Sequence, residues 1–202
     1  METTETIAVY GKSGHGRVVA QIAAALGYTE ILWIDDAAEG AASLERFLSE
    51  TDGVPVALGI GSNAARQNVY EKLEKAGIEP VTLVHPSAVI ADDVGIGAGT
   101  VVMPLATVNA GARLGSGVIV NTHAVVEHDC VLEDFVHISP SAALAGAVRV
   151  GRRSHVGIGA SVIQCLSIGD DTVVGAGAAV VNDLPSRVLA AGVPAVVKKE
   201  WK

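Results

Sequence analysis

The chain has 202 residues, enough for one large domain or two small ones with a buried core. A net charge of −8, from 14 Lys and Arg against 22 Asp and Glu, excludes a broad phosphate-binding surface. The 2 cysteines, Cys130 and Cys165, lack any CxxC spacing, which excludes a disulfide framework and a zinc knuckle.

Along the first 82 residues, strand and helix patterns alternate. "TIAVY" reads as a strand, "GKSGHG" as a glycine turn and "RVVAQIAAALG" as an alanine-rich helix. "EILWIDD" is a second strand ending in Asp35 and Asp36, "VPVALGIGS" a third, "NAARQNVYEKLEKAG" a helix closed by glycine, and "EPVTLV" a last strand. Such alternation predicts a small Rossmann-like parallel sheet with ligands at the carboxyl ends of its strands. The glycine turn is then the expected phosphate contact, through backbone N–H groups at a helix N-terminus. It is neither a P-loop, which needs a glycine where Thr6 stands, nor the G-x-G-x-x-G dinucleotide fingerprint.

From Val84 onward the pattern changes. Steps of six land on Val84, Ile90, Ile96, Val102, Val108, Leu114, Val120, Val126, Leu132, Ile138, Leu144, Val150, Val156, Val162, Ile168, Val174 and Val180 without one polar residue. The fourth residue after each anchor is small or aliphatic over the first coils, as at Ala88, Val94, Thr100 and Ala106. A period of six cannot be an α-helix, whose apolar stripe recurs every three or four residues, but suits short strands joined by sharp corners. Residues 83–202 are therefore expected to wind as a parallel β-helix with a C-terminal tail, after a small α/β domain over 1–82.

Within the repeats, "VVEHDC" places Glu127, His128 and Asp129 between the inward positions Val126 and Cys130. A solvated turn would suit such a triplet, and so would a catalytic corner. The order of "YGKSGHG", "IDD" and "GIGSNAAR", followed by hexads carrying "VNT", "VEHDC", "FVHIS" and a closing "GVPA", resembles the sugar O- and N-acetyltransferases of the hexapeptide-repeat superfamily. It is most similar to the bacillosamine-pathway enzymes that acetylate the 4-amino group of a UDP-linked 4-amino-4,6-dideoxy sugar with acetyl-CoA. The resemblance implies a left-handed β-helix with three hexads per coil, a homotrimer with its acetyl-CoA cleft between neighbours, and no metal. With three hexads to a coil, Gly146 falls one coil above His128, at a strand spacing of roughly 4.8 Å.

The resemblance also assigns roles. His128 is the expected general base and the Gly146 amide the oxyanion donor, with a carboxylate orienting the imidazole. Relatives carry Glu where this chain has Asp129, so Asp129 and Glu127 both remain candidates for that carboxylate. Substrate contacts are expected from Ser13, Gly14, His15, Asp35, Asp36, Gly61, Asn63 and Asn121. Coenzyme contacts are expected from His137, Gly146, Ile158 and Ala176; His85 and His123 are expected to be structural, and His155, stacked at the same corner as His137, a plain surface group. "IDD" favours UDP, with GDP-perosamine, sialic acid or O-acetylation as alternatives, and a non-catalytic nucleotide-binding trimer as the reading of another class. No run of apolar residues long enough to span a membrane and no leader pattern occurs, so a cytoplasmic protein free of membrane and nucleic acid is expected.

Overall fold

The computed structural model describes residues 5–201. The chain opens with β1 (Thr6–Tyr10), α1 (Gly14–Ala25), β2 (Glu30–Ile34), α2 (Leu44–Glu50), β3 (Val56–Leu58) and α3 (Asn63–Lys75). The three strands form a parallel sheet in the order β2-β1-β3. Helix α1 can lie close to this sheet because Gly16 has no side chain: a β-carbon there would sit 1.8 Å from the Gly11 carbonyl oxygen. Helix α2 was not expected from the sequence, and it starts at Ser43, whose hydroxyl accepts from the Arg46 N–H.

Seventeen two-residue strands follow, β4 (Leu83–Val84) through β20 (Ala179–Val180), one every six residues. Each pairs in parallel with the strand 18 residues away, as Val125–Val126 pairs with Ala143–Leu144, so the chain winds as a β-helix of nearly six coils. The first face carries Val101–Val102, Ile119–Val120, His137–Ile138 and His155–Val156; the second carries Val125–Val126, and the third Val131–Leu132. The hexad anchors and the small residues four places on, among them Ala124, Cys130, Val136 and Ala142, fill one continuous core. Each fully buried Val, Leu or Ile contributes on the order of 1.5–3 kcal/mol, enough to hold a coil that has no helix behind it.

Corners are made by residues in the left-handed region, including Asp129 (φ 60°), Phe135 (φ 60°), Ala147 (φ 58°) and Arg153 (φ 56°). Such a conformation costs a non-glycine residue roughly 1–2 kcal/mol. Its N–H is repaid by the coil below: Asp129 N donates to Ala110 O at 2.9 Å and Ala147 N to His128 O at 2.8 Å.

One strand is not where the sequence suggests. The segment "EPVTLV" adds no fourth strand to the N-terminal sheet; its last two residues, Leu83–Val84, pair instead with Val101–Val102 on the first face of the β-helix. The hexad register captures Val84, and the crossing is marked by Val81 N donating to Val56 O at 2.9 Å. The α/β unit lies against the first face, where Leu83, Val101, Met103 and Ile119 share a buried cluster with Val19, Ile22 and Ala23 of α1. A hairpin of β21 (Val188–Ala191) and β22 (Val196–Glu200) closes the last coil. Among the described residues no helix is long and apolar enough to cross a membrane.

Candidate active site

The "VVEHDC" segment turns the corner between the second and third faces. Val126 and Cys130 point inward and are fully buried, which pushes Glu127, His128 and Asp129 outward. The Asp129 carboxylate lies 2.9 Å from Nδ1 of His128, while the Glu127 carboxylate accepts from the His128 backbone N–H at 3.2 Å. Asp129, not Glu127, therefore contacts the ring. Its hydrogen bond raises His128 above the ordinary histidine range and leaves Nε2 as the free ring nitrogen. That nitrogen faces Gly146 in the next coil: a β-carbon built on Gly146 would stand 2.5 Å from it. The base and the Gly146 backbone are neighbours, and the corner is open to solvent, with the His128 side chain 62% exposed.

A second group of polar residues gathers where the α/β unit meets the first face. Ser13 caps α1 with backbone only, making no side-chain capping bond, and the first turn of the helix holds no acidic residue. Gly14 and His15 follow at this open N-terminus, a setting suited to an anion. His15 lies with its ring centroid 6.3 Å from that of His137, and His137 lies 4.6 Å from His155. Asn121 turns its amide nitrogen to Nε2 of His137 at 3.0 Å, because its Oδ1 already accepts from the Thr122 N–H at 2.8 Å. His137 Nε2 is thus an acceptor and its proton sits on Nδ1. His15 Nε2 has no partner among the described residues, and the His137 ring has the Gly61 backbone beside it, though Nδ1 makes no well-formed hydrogen bond there.

Burial pushes His137 down to about 3 and His15 to about 4, with the Arg66 cation adding to both, so the two rings are neutral. Burial also lowers His155, whose Nε2 is 2.7 Å from Ser139 Oγ. These rings are not surface groups at a corner, as stacked solenoid histidines can be; His137 and His155 stand on strands and are covered by the α/β unit. His137 consequently meets His15 and Asn121, residues expected at the substrate, whereas Ile158 and Ala176 are exposed on the corner between the first and second faces.

The acidic pair divides its work. Asp35 accepts from the Lys12, Ala37 and Ala38 N–H groups, which hold it below the usual carboxylate range. Its oxygens organise the turn. Asp36 takes the Tyr10 hydroxyl at 3.1 Å and lies 3.5 Å from Lys72 Nζ, with half of its side chain still exposed. Asn63 is engaged on both sides: its amide donates to the Arg153 and Ser154 carbonyls and its Oδ1 accepts from Arg66. That side chain joins the two units, and the Gly61 carbonyl also receives Arg66.

Arg66 was missed by the sequence reading, although a signal exists. It stands at the head of an i, i+3, i+4, i+7 stripe with Val69, Tyr70 and Leu73, a charge in register with the buried side of α3. Among the described residues no group of three or more His, Cys, Asp or Glu is placed to hold a metal ion.

Known proteins share this architecture. The PglD N-terminal domain family matches residues 6–73. The acetyltransferase domain of PglB from Neisseria gonorrhoeae FA1090, solved with acetyl coenzyme A, is 40% identical over 96% of this chain and 100% of its own, with a TM-score of 0.90. PerB from Caulobacter crescentus, solved with CoA and GDP-perosamine, is 39% identical over 98% of this chain and 99% of its own, at a TM-score of 0.91. WeeI from Acinetobacter baumannii AYE is 28% identical over 95% and 99% of the two chains, at 0.90. This chain is an acyltransferase and belongs to the sugar N-acetyltransferase family built on hexapeptide repeats.

Proposed function

We propose that this enzyme acetylates the 4-amino group of a nucleotide-linked 4-amino-4,6-dideoxy sugar from acetyl-CoA, with UDP as the expected nucleotide. The observation that carries the reading is Nε2 of His128 beside the backbone of Gly146. His128 Nε2 takes a proton from the sugar amine as its nitrogen attacks the thioester carbon. The Gly146 N–H donates to the oxyanion of the tetrahedral intermediate. The C–S bond then breaks, and the coenzyme A thiolate receives the proton held on His128. Ser13 with the open end of α1 holds the diphosphate, and Asp36 the nucleoside. Asp35 supports this turn from behind, which leaves Asp36 as the acid that faces the nucleotide.

In one chain, His128 lies on the corner between the second and third faces, whereas the glycine turn lies over the first. That separation supports a homotrimer in which one protomer's α/β unit meets the His128 corner of its neighbour, with Ile158 and Ala176 along the coenzyme path. The test is coenzyme A release with UDP-, GDP- and CMP-linked amino sugars and their hydroxyl counterparts. Release with the UDP amino sugar alone is the expected result. Release with the GDP or hydroxyl compounds instead would move the nucleotide or the acetylated atom, and release with none would leave a nucleotide-binding scaffold.

A further inference from the structure

Arg66 is fully buried, yet no carboxylate lies among its partners. Its Nε donates to Gly117 O at 2.6 Å, Nη1 to Ile60 O at 3.1 Å and Gly61 O at 3.2 Å, and Nη2 to Asn63 Oδ1 at 2.9 Å and Phe135 O at 2.8 Å. All five N–H donors are used, and only a planar fork can reach these separate segments together. The solenoid partners follow a rule. Gly117 and Phe135 are equivalent left-handed corner residues one coil apart, and Asn63 continues the series by donating to Arg153, the equivalent residue of the next coil. The first turn of α3 is thus fastened across three successive coils by carbonyls that each corner turns outward. Between β3 and α3 lies the turn whose Gly61 packs 3.7 Å from the His15 ring, measured from a built β-carbon.

We infer that Arg66 is a positioning residue for the sugar-nucleotide site, fixing the β3–α3 turn and the His15–His137 pair against the solenoid without touching the substrate. The inference rests on the function proposed above. Two consequences follow from an unpaired cation in this place. The rings of His15, His137 and His155 lie under its field, and burial and the repulsion of His137 by the other two rings act in the same direction. The cation therefore opposes protonation of all three rings, and each neutral imidazole keeps one lone pair and one N–H for hydrogen bonding.

Two variants separate the fork from the charge. Arg66→Lys keeps a cation but cannot span Gly117, Phe135 and Gly61 together; Arg66→Met keeps length and removes the charge. Both are expected to raise KM for the sugar nucleotide by about tenfold or more, with KM for acetyl-CoA within about twofold, because the His128 corner is untouched. Carbon-detected NMR titration should find His15 and His137 neutral at pH 5 in the wild type and in Arg66→Lys, and shifted towards protonation in Arg66→Met. Wild-type KM in Arg66→Lys would overturn the inference, as would unchanged histidine titration in Arg66→Met. Equal loss of both substrates' kinetics would overturn it too, by making Arg66 a general fold residue. If Arg66→Met does not fold, Arg66→Lys decides alone. Loss of turnover in the wild type itself, with sugar-nucleotide binding kept, would count against the proposed reaction and not against Arg66.

Discussion

The free ring nitrogen of His128 faces Gly146 so closely that a β-carbon there would stand 2.5 Å from Nε2 and 2.6 Å from Cε1. Gly146 has no need of glycine for its backbone, since it is absent from the left-handed positions. The missing side chain serves the imidazole. Gly146→Ala should therefore fold and assemble with its melting temperature nearly unchanged, because an exposed ring can swing aside. Activity should fall by roughly the worth of a positioned base, about 10² to 10⁴-fold, as in His128→Ala. A Gly146→Ala enzyme with near wild-type kcat would show that Nε2 does not work in the position seen.

The carboxylate on Nδ1 sets a second expectation. Asp129 raises His128, so the acidic limb of kcat/KM should lie above the ordinary histidine value. Asp129→Asn removes the charge and should move that limb to lower pH, with a smaller loss of kcat than His128→Ala. Glu127→Gln should move the limb in the same direction but by less, since that carboxylate serves the backbone N–H and raises the ring only through space. A limb indifferent to Asp129 would belong to the substrate amine.

Stability should depend on acid through the buried rings. His15 and His137 are held near 4 and 3, below an unfolded value of about 6.5. A lowered folded value means that the unfolded chain takes up protons first. The stabilisation is whole above about pH 6.5 and is lost as pH falls towards the folded values, by at most about 1.4 kcal/mol per pH unit for each ring. Urea midpoints at pH 7.5, 6 and 5 should fall in that order, and His137→Gln should flatten the trend. Midpoints level across this range would mean that the rings are hydrated or paired.

Much of this was legible because period carries three-dimensional meaning. Seventeen aliphatic anchors specify the coil, and with three hexads per coil the count from His128 to Gly146 puts one over the other. The inward Val126 and Cys130 leave residues 127–129 nowhere to go but the corner. What the period cannot show is who covers an outward position. His137 and His155 each precede an inward anchor, and the same pattern serves a residue in water or one beneath another domain. Arg66 shows only as a charge in register with the buried side of α3, and the backbone carbonyls it binds carry no sequence signal. Asp35 and Asp36 cannot be told apart in the sequence for the same cause: the backbone N–H groups that hold Asp35 leave no trace there. Helix α2 is seven residues long, too short to show a periodic stripe.

Assembly gives the last expectation. If the glycine turn of one protomer works with His128 of another, two defective chains can repair each other. Asp36→Ala is expected to raise KM for the sugar nucleotide, so at low concentration of that substrate its homotrimer is nearly silent, as is that of His128→Ala. In trimers formed from both chains in equal amounts, a site needs its α/β unit from a His128→Ala chain and its corner from an Asp36→Ala chain. Random assembly meets both conditions in about a quarter of sites, and co-expressed protein should recover about that fraction of wild-type activity. Light scattering should give three chains per particle. A stable active monomer, or mixed trimers as silent as their parents, would place the whole site within one chain and require the α/β unit to reach a corner that lies off the face on which it packs.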